Sequence, residues 1–160
     1  MTSTARRRSA KKTSQRSKRE WQLLQTQMEL TEGLGRHLRD ANLVRQEMPF
    51  FWRINEHKCL EGIIDLALFE ADAKKWFILD WKTNRLEPAQ TDKLRLSYRA
   101  QIAAYWKAVA EITKLPVGAG IYSTSTGQLL IYSENELAAE WERVKNLPVN
   151  DLASEIADSR

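Results

Sequence analysis

The chain has 160 residues, with 25 lysines and arginines against 21 aspartates and glutamates, for a formal net charge of +4. That length suits one domain with a core of its own, and 42% hydrophobic with 29% charged residues is an ordinary globular composition. The single cysteine, Cys59, excludes a disulfide framework, a cysteine-built zinc ribbon and a four-cysteine iron–sulfur cluster. No apolar run nears the roughly 20 residues of a membrane span, and no G-x-x-x-x-G-K-S/T phosphate loop occurs.

Residues 1–19 hold eight of the basic residues and no acid, so the other 141 carry 17 basic against 21 acidic residues. With only Met1, Ala5 and Ala10 apolar, this tail cannot offset the entropy of ordering and is expected to be disordered. It lacks the apolar stretch of a signal peptide and the apolar face of a mitochondrial presequence. It is either an arm for nucleic-acid phosphates or a solvated extension. Residues 20–160 form the expected domain.

Trp21, Leu24, Met28, Leu30, Leu34 and Leu38 predict helix over 20–40, weakened by Gly33 and Gly35. Strands follow at 43–54, 59–69 and 75–82, with Asn55-Glu56 as a turn and His57 exposed in it. After a polar loop containing Pro88, a stripe of Tyr98, Ile102, Tyr105, Val109 and Ile112 predicts helix over 96–114, stopped by Pro116. Strands at 117–122 and 128–132 flank a Thr126-Gly127 turn. Helix is expected over 134–146, and the acidic end is weakly helical. Helix, three strands, helix, two strands and helix make an α/β protein, a central sheet flanked by helices.

Two of these strands carry carboxylates in the wrong place. Residues 62–69 are apolar on both faces except at Asp65, as befits an interior strand. In residues 76–82, period two puts Asp80 and Lys82 on one face with Trp76 and Ile78. A buried ion pair alone is a poor stabiliser. Two neighbouring interior strands, each with an internal aspartate, are better explained by a hard divalent cation such as Mg²⁺. Without that cation, removing one acid would relieve like-charge repulsion. Lys82 is then free to orient an attacking water and neutralise charge on a phosphate. On the next helix, Gln101 and Tyr105 are four apart on one face, and Gln101, bordering the apolar stripe, could hold a phosphate or orient Lys82.

The segments Glu47-Met48-Pro49-Phe50, Glu61-Gly62-Ile63-Ile64-Asp65-Leu66, Ile78-Leu79-Asp80-Trp81-Lys82-Thr83 and Tyr98-Arg99-Ala100-Gln101-Ile102-Ala103-Ala104-Tyr105 resemble, in order, blocks of the PD-(D/E)XK nucleases. The resemblance is greatest to the C-terminal nuclease domain of AddA/RecB-type helicase–nucleases. It covers residues 47–105 directly.

This resemblance implies a restriction-endonuclease-like core with a mixed β-sheet. It implies a Mg²⁺-dependent DNase, with Mn²⁺ able to substitute, that hydrolyses phosphodiester bonds by in-line attack of water. An exonuclease role in DNA repair or recombination follows by the same route. So do a bacterial cytoplasmic or nucleoid location and a superfamily 1 helicase or AddB/RecC-like partner. Asp65 and Asp80 match the metal-binding acids, Lys82 the catalytic lysine, and Gln101 and Tyr105 the helix motif near the scissile phosphate. Glu47 matches a recurrent glutamate that supports the site or reaches metal through water. Family members often add a histidine ligand from an upstream helix. His37 is the one candidate before the core, and its surroundings look instead like the segment just ahead of E-x-P-F. The family branch with a cysteine-held iron–sulfur cluster does not fit a chain with Cys59 alone. The rival reading is a non-catalytic DNA-binding or assembly module of the same fold.

Overall fold

The computed structural model describes residues 32–157 apart from 86 and 87. The basic tail and residues 20–31 of the helix expected over 20–40 lie outside the described residues. The chain divides into two compact units, Met1–Arg36 and His37–Arg160. Of the first, residues 32–36 are described, as the opening of helix α1 (Glu32–Asp40).

The second unit is built on five strands: β1 (Leu43–Arg53), β2 (Cys59–Glu70), β3 (Lys75–Lys82), β4 (Val117–Ser123) and β5 (Gln128–Tyr132). They lie in sequence order in one sheet. All neighbours are antiparallel except β3 and β4. That parallel pair needs a crossover, which helix α2 (Thr91–Thr113) supplies. The result is the mixed-sheet α/β architecture expected of a restriction-endonuclease-like core.

Helix α2 packs on the sheet because its inner face is small and apolar. Ala100, Ala103, Ala104 and Ala108 are buried between Ile102, Trp106 and Val109, and they meet Ile64, Ala67, Ile78, Ala119 and Ile121 of the sheet in one core. Alanine is the best helix former and lets the helix axis approach closely. Its end is sharp: Lys114 takes a left-handed backbone (φ 58°) and its N–H returns to the Ala110 carbonyl. The Trp106 indole N–H then donates to the Val117 carbonyl at 2.9 Å, tying the helix to the start of β4.

Helices α3 (Glu134–Val144) and α4 (Val149–Ile156) close the same face through Leu137, Trp141, Val144, Leu152 and Ile156. Ser133 and Glu136 form a reciprocal capping box that starts α3. At its other end Lys58 donates to the Lys145 and Leu147 carbonyls, at 3.2 and 2.7 Å, pinning the β1–β2 hairpin to α3.

Three expectations need correction. Helix α2 begins at Thr91 rather than 96, because Leu94 is buried and extends the stripe of Tyr98 by one turn. Ile112, placed in that stripe by spacing, is half exposed and lies outside the buried core that Val109 joins. Residues 149–156 form a distinct helix held by Leu152 and Ile156, and α3 stops at Val144.

Candidate active site

The central feature is a fork in the sheet. Strands β2 and β3 pair only from Leu66↔Leu79 to Glu70↔Lys75. Beyond Leu66, β2 continues along β1 as far as Cys59, while β3 continues along β4 to Lys82↔Ser123. Asp65 and Asp80 are the first residues past the split, one on each prong. A fork interrupts a backbone ladder, and buried N–H groups need acceptors. Asp65 supplies one: its Oδ2 accepts from the Trp81 N–H at 3.0 Å.

The electrostatics follow from that position. Burial, and next the neighbouring Asp80 charge, push the Asp65 carboxyl up to about 7, against the lowering effects of the Trp81 hydrogen bond and Lys82. Asp80 is 6% exposed and its Oδ2 lies 2.6 Å from Lys82 Nζ. Lys82 Nζ also donates to Gln101 Oε1 at 3.1 Å and sits 3.8 Å over the Tyr98 ring centroid. The ammonium is thus held by a carboxylate, an amide and a π face. Gln101 Nε2 donates in turn to Tyr105 Oη at 3.5 Å. Burial raises the Tyr105 phenol above its ordinary value, so it keeps its proton at neutral pH.

Asp65, Asp80, Lys82, Gln101 and Tyr105 therefore form one connected cluster. Gln101, expected at the border of the core, is only 4% exposed and lies within it. Asp65, Asp80, Gln101 and Tyr105 open onto a cleft of about 440 Å³ that Ile63 and Val149 also line. Gly62 keeps the Tyr105 end open: a Cβ there would stand 3.0 Å from Tyr105 Oη and 2.8 Å from the Phe50 ring.

The other two candidates lie differently. Glu47 is exposed on β1, opposite Asp65 in register, with its backbone at φ 47°. His37 stacks on Phe77, ring centroids 4.1 Å apart, and its Nδ1 lies 2.8 Å from Glu70 Oε1. Phe77 alternates with Ile78, which faces the α2 core, so His37 stands on the opposite side of the sheet from the cluster. His57 and Cys59 are exposed. Periodicity gives Tyr98 no role beyond the apolar stripe. Its place three residues before Gln101, on the same helical face, is the signal that could have joined it to the cluster.

Among the described residues no group of three or more His, Cys, Asp or Glu side chains is gathered for a metal ion. The protein donors here are two hard carboxylates beside an open cleft. That suits Mg²⁺, which takes one or two carboxylates and completes its shell with waters and phosphate oxygens.

The chain matches the family model of the PD-(D/E)XK nuclease superfamily over residues 2–159. It is 34% identical over 94 residues to an ATP-dependent helicase/nuclease subunit of Lysinibacillus sphaericus strain C3-41, covering 52% of this chain and 8% of that protein. It is 30% identical over 118 residues to a protein of the same name from Desulfitobacterium hafniense strain DCB-2, covering 69% of this chain and 8% of the relative. The chain thus spans about 8% of the length of these curated relatives.

Proposed function

The chain belongs to the PD-(D/E)XK nuclease superfamily, and from that premise we propose that it is a divalent-metal-dependent DNA nuclease hydrolysing phosphodiester bonds. The observation that carries this reading is the fork, which sets Asp65 and Asp80 side by side with Lys82 held against them. Asp65 and Asp80 would hold the cation, which would supply Lewis acidity and counter-charge at the phosphate. Lys82 orients the attacking water and offsets charge growing on the phosphate oxygens. Gln101 and Tyr98 keep the ammonium in place, and the protonated Tyr105 offers a hydroxyl donor at the cleft. The water oxygen forms the new bond to phosphorus as the bond to the leaving sugar oxygen breaks; the attacking water gives up one proton to solvent, and the leaving oxygen takes one up from solvent water.

The relatives' names join helicase to nuclease. We extend that to this chain as an exonuclease in DNA repair and recombination, in a bacterial cytoplasm or on the nucleoid. It would work with a superfamily 1 helicase motor, in the same polypeptide or as a partner with an AddB/RecC-like subunit. No helix among the described residues is long and apolar enough to cross a membrane.

Cleavage of a labelled DNA should require Mg²⁺ or Mn²⁺, stop in excess EDTA, and return when Mg²⁺ is restored. Ca²⁺, which prefers longer bonds and more ligands, should support binding better than turnover. Undiminished cleavage in EDTA would overturn the metal-dependent reading.

Gln101→Met keeps the buried volume but removes the acceptor of Lys82. It should slow turnover by roughly tenfold or more, with a stability loss of about 2–4 kcal/mol for the charge-assisted bond from Lys82 and the bond to Tyr105 together. Single-turnover rates and melting curves check this. A folded variant with wild-type turnover would leave Gln101 a purely structural residue.

A further inference from the structure

Among the described residues three non-glycines have a left-handed backbone: Glu47, Lys74 and Lys114. Lys74 closes the turn from β2 to β3 and Lys114 caps α2. Glu47 alone of the three stands inside a strand, at φ 47°. Glutamate has no side-chain device that favours this conformation, as asparagine or aspartate has. Strain kept in mid-strand is a feature of functional sites.

The strain sits at a telling place. The β1–β2 ladder runs without a shift of register from Leu43↔Phe69 to Arg53↔Cys59, and the one pairing it skips lies between Gln46↔Leu66 and Met48↔Ile64. The skipped partners are Glu47 and Asp65. On β2 the alternation changes at the same point: Ile64 and Ala67, three apart, both enter the core under α2. Strict period two would put them on opposite faces. Asp65 is also where β2 leaves β3 and where its carboxylate accepts from Trp81.

We propose that the left-handed backbone of Glu47 is a positioning device for Asp65. It opens the β1–β2 ladder by one pair, lets β2 turn about Asp65, and so aims that carboxylate across the fork at the Trp81 N–H and Asp80. In this role Glu47 acts through its main chain. The link to catalysis rests on the nuclease reading; the conformational part does not.

The test compares Glu47→Gly, Glu47→Gln and Glu47→Val in the full chain. The readouts are thermal melting, Mn²⁺ affinity by calorimetry, and Mg²⁺-dependent DNA cleavage. Glycine accepts φ 47° without a side chain. Its variant should melt no lower than wild type and lose far less Mn²⁺ affinity and turnover than the valine variant, as should the glutamine variant. Valine resists positive φ. Its variant should melt about 3–6 °C lower and bind Mn²⁺ about tenfold more weakly. Below its melting point it should lose kcat far more than KM rises. A glycine variant that keeps its melting point but loses Mn²⁺ binding and turnover as valine does would overturn the proposal, because the side chain would then be the agent. A valine variant that melts like wild type would overturn it as well. If wild type itself cleaved no DNA, the nuclease reading would fail while the melting order still decided the Glu47 claim.

Discussion

Lys82→Ala and Asp80→Ala are each expected to lower cleavage by roughly three orders of magnitude or more, since both residues belong to the proposed reacting unit. Their effects on stability should differ. Lys82→Ala leaves Asp80 buried beside Asp65 without its ammonium, and breaking a buried pair from one side costs about 3–5 kcal/mol. Asp80→Ala leaves Lys82 bonded to Gln101 and over the Tyr98 ring, with the Asp65 charge still near. From the sequence, deleting one of two neighbouring acids looks like simple relief of repulsion. The 2.6 Å ion pair to Lys82 adds an opposing loss for Asp80. Lys82→Ala should therefore melt well below Asp80→Ala. Circular-dichroism melts with cleavage assays on both test this. Should Lys82→Ala fail to fold, Lys82→Met fills the space for the activity measurement. A wild-type rate in any folded variant would remove the cluster from the chemistry.

Metal-free protein should lose stability as pH rises from about 4 to about 7, because the Asp65 carboxyl is displaced upward across that range. Below about 4 the group is protonated both folded and unfolded. Between the two values the folded chain keeps a proton that the unfolded chain has released, so raising the pH favours unfolding. Above about 7 both forms are ionised and the slope vanishes. The displacement is worth on the order of 4 kcal/mol. Asp65→Asn should flatten this part of the profile and be the more stable protein at pH 7.5. Urea unfolding of both proteins in EDTA, at pH 4.5 and 7.5, measures the difference. Parallel profiles would show that Asp65 ionises without a burial penalty.

The acids and the lysine were legible because they break a local pattern. Carboxylates inside otherwise apolar strands are expensive, and period two alone places Asp80 and Lys82 on one face. Helical spacing did the same for Gln101 and Tyr105. The start of α2 was less legible, since Lys93, Arg95 and Ser97 hide the single buried Leu94. The side of the sheet on which His37 stands was not legible at all. It depends on the stacking against Phe77 and the approach of Glu70, 33 residues away in the chain.

By itself, then, the sequence determined the order of elements, the buried faces and the residue types offered to the chemistry. These are set by periodicity and by the cost of burying charge, which act over a few neighbouring residues. The tertiary structure alone decided where β2 parts from β3, that the Asp65 carboxylate takes the Trp81 N–H at the split, and that Glu47 bends backward opposite it. Strand pairing has no local signature for where it stops. Its end is chosen by the backbone hydrogen bonds that distant segments can satisfy together, and here those include one made by a catalytic candidate's own side chain.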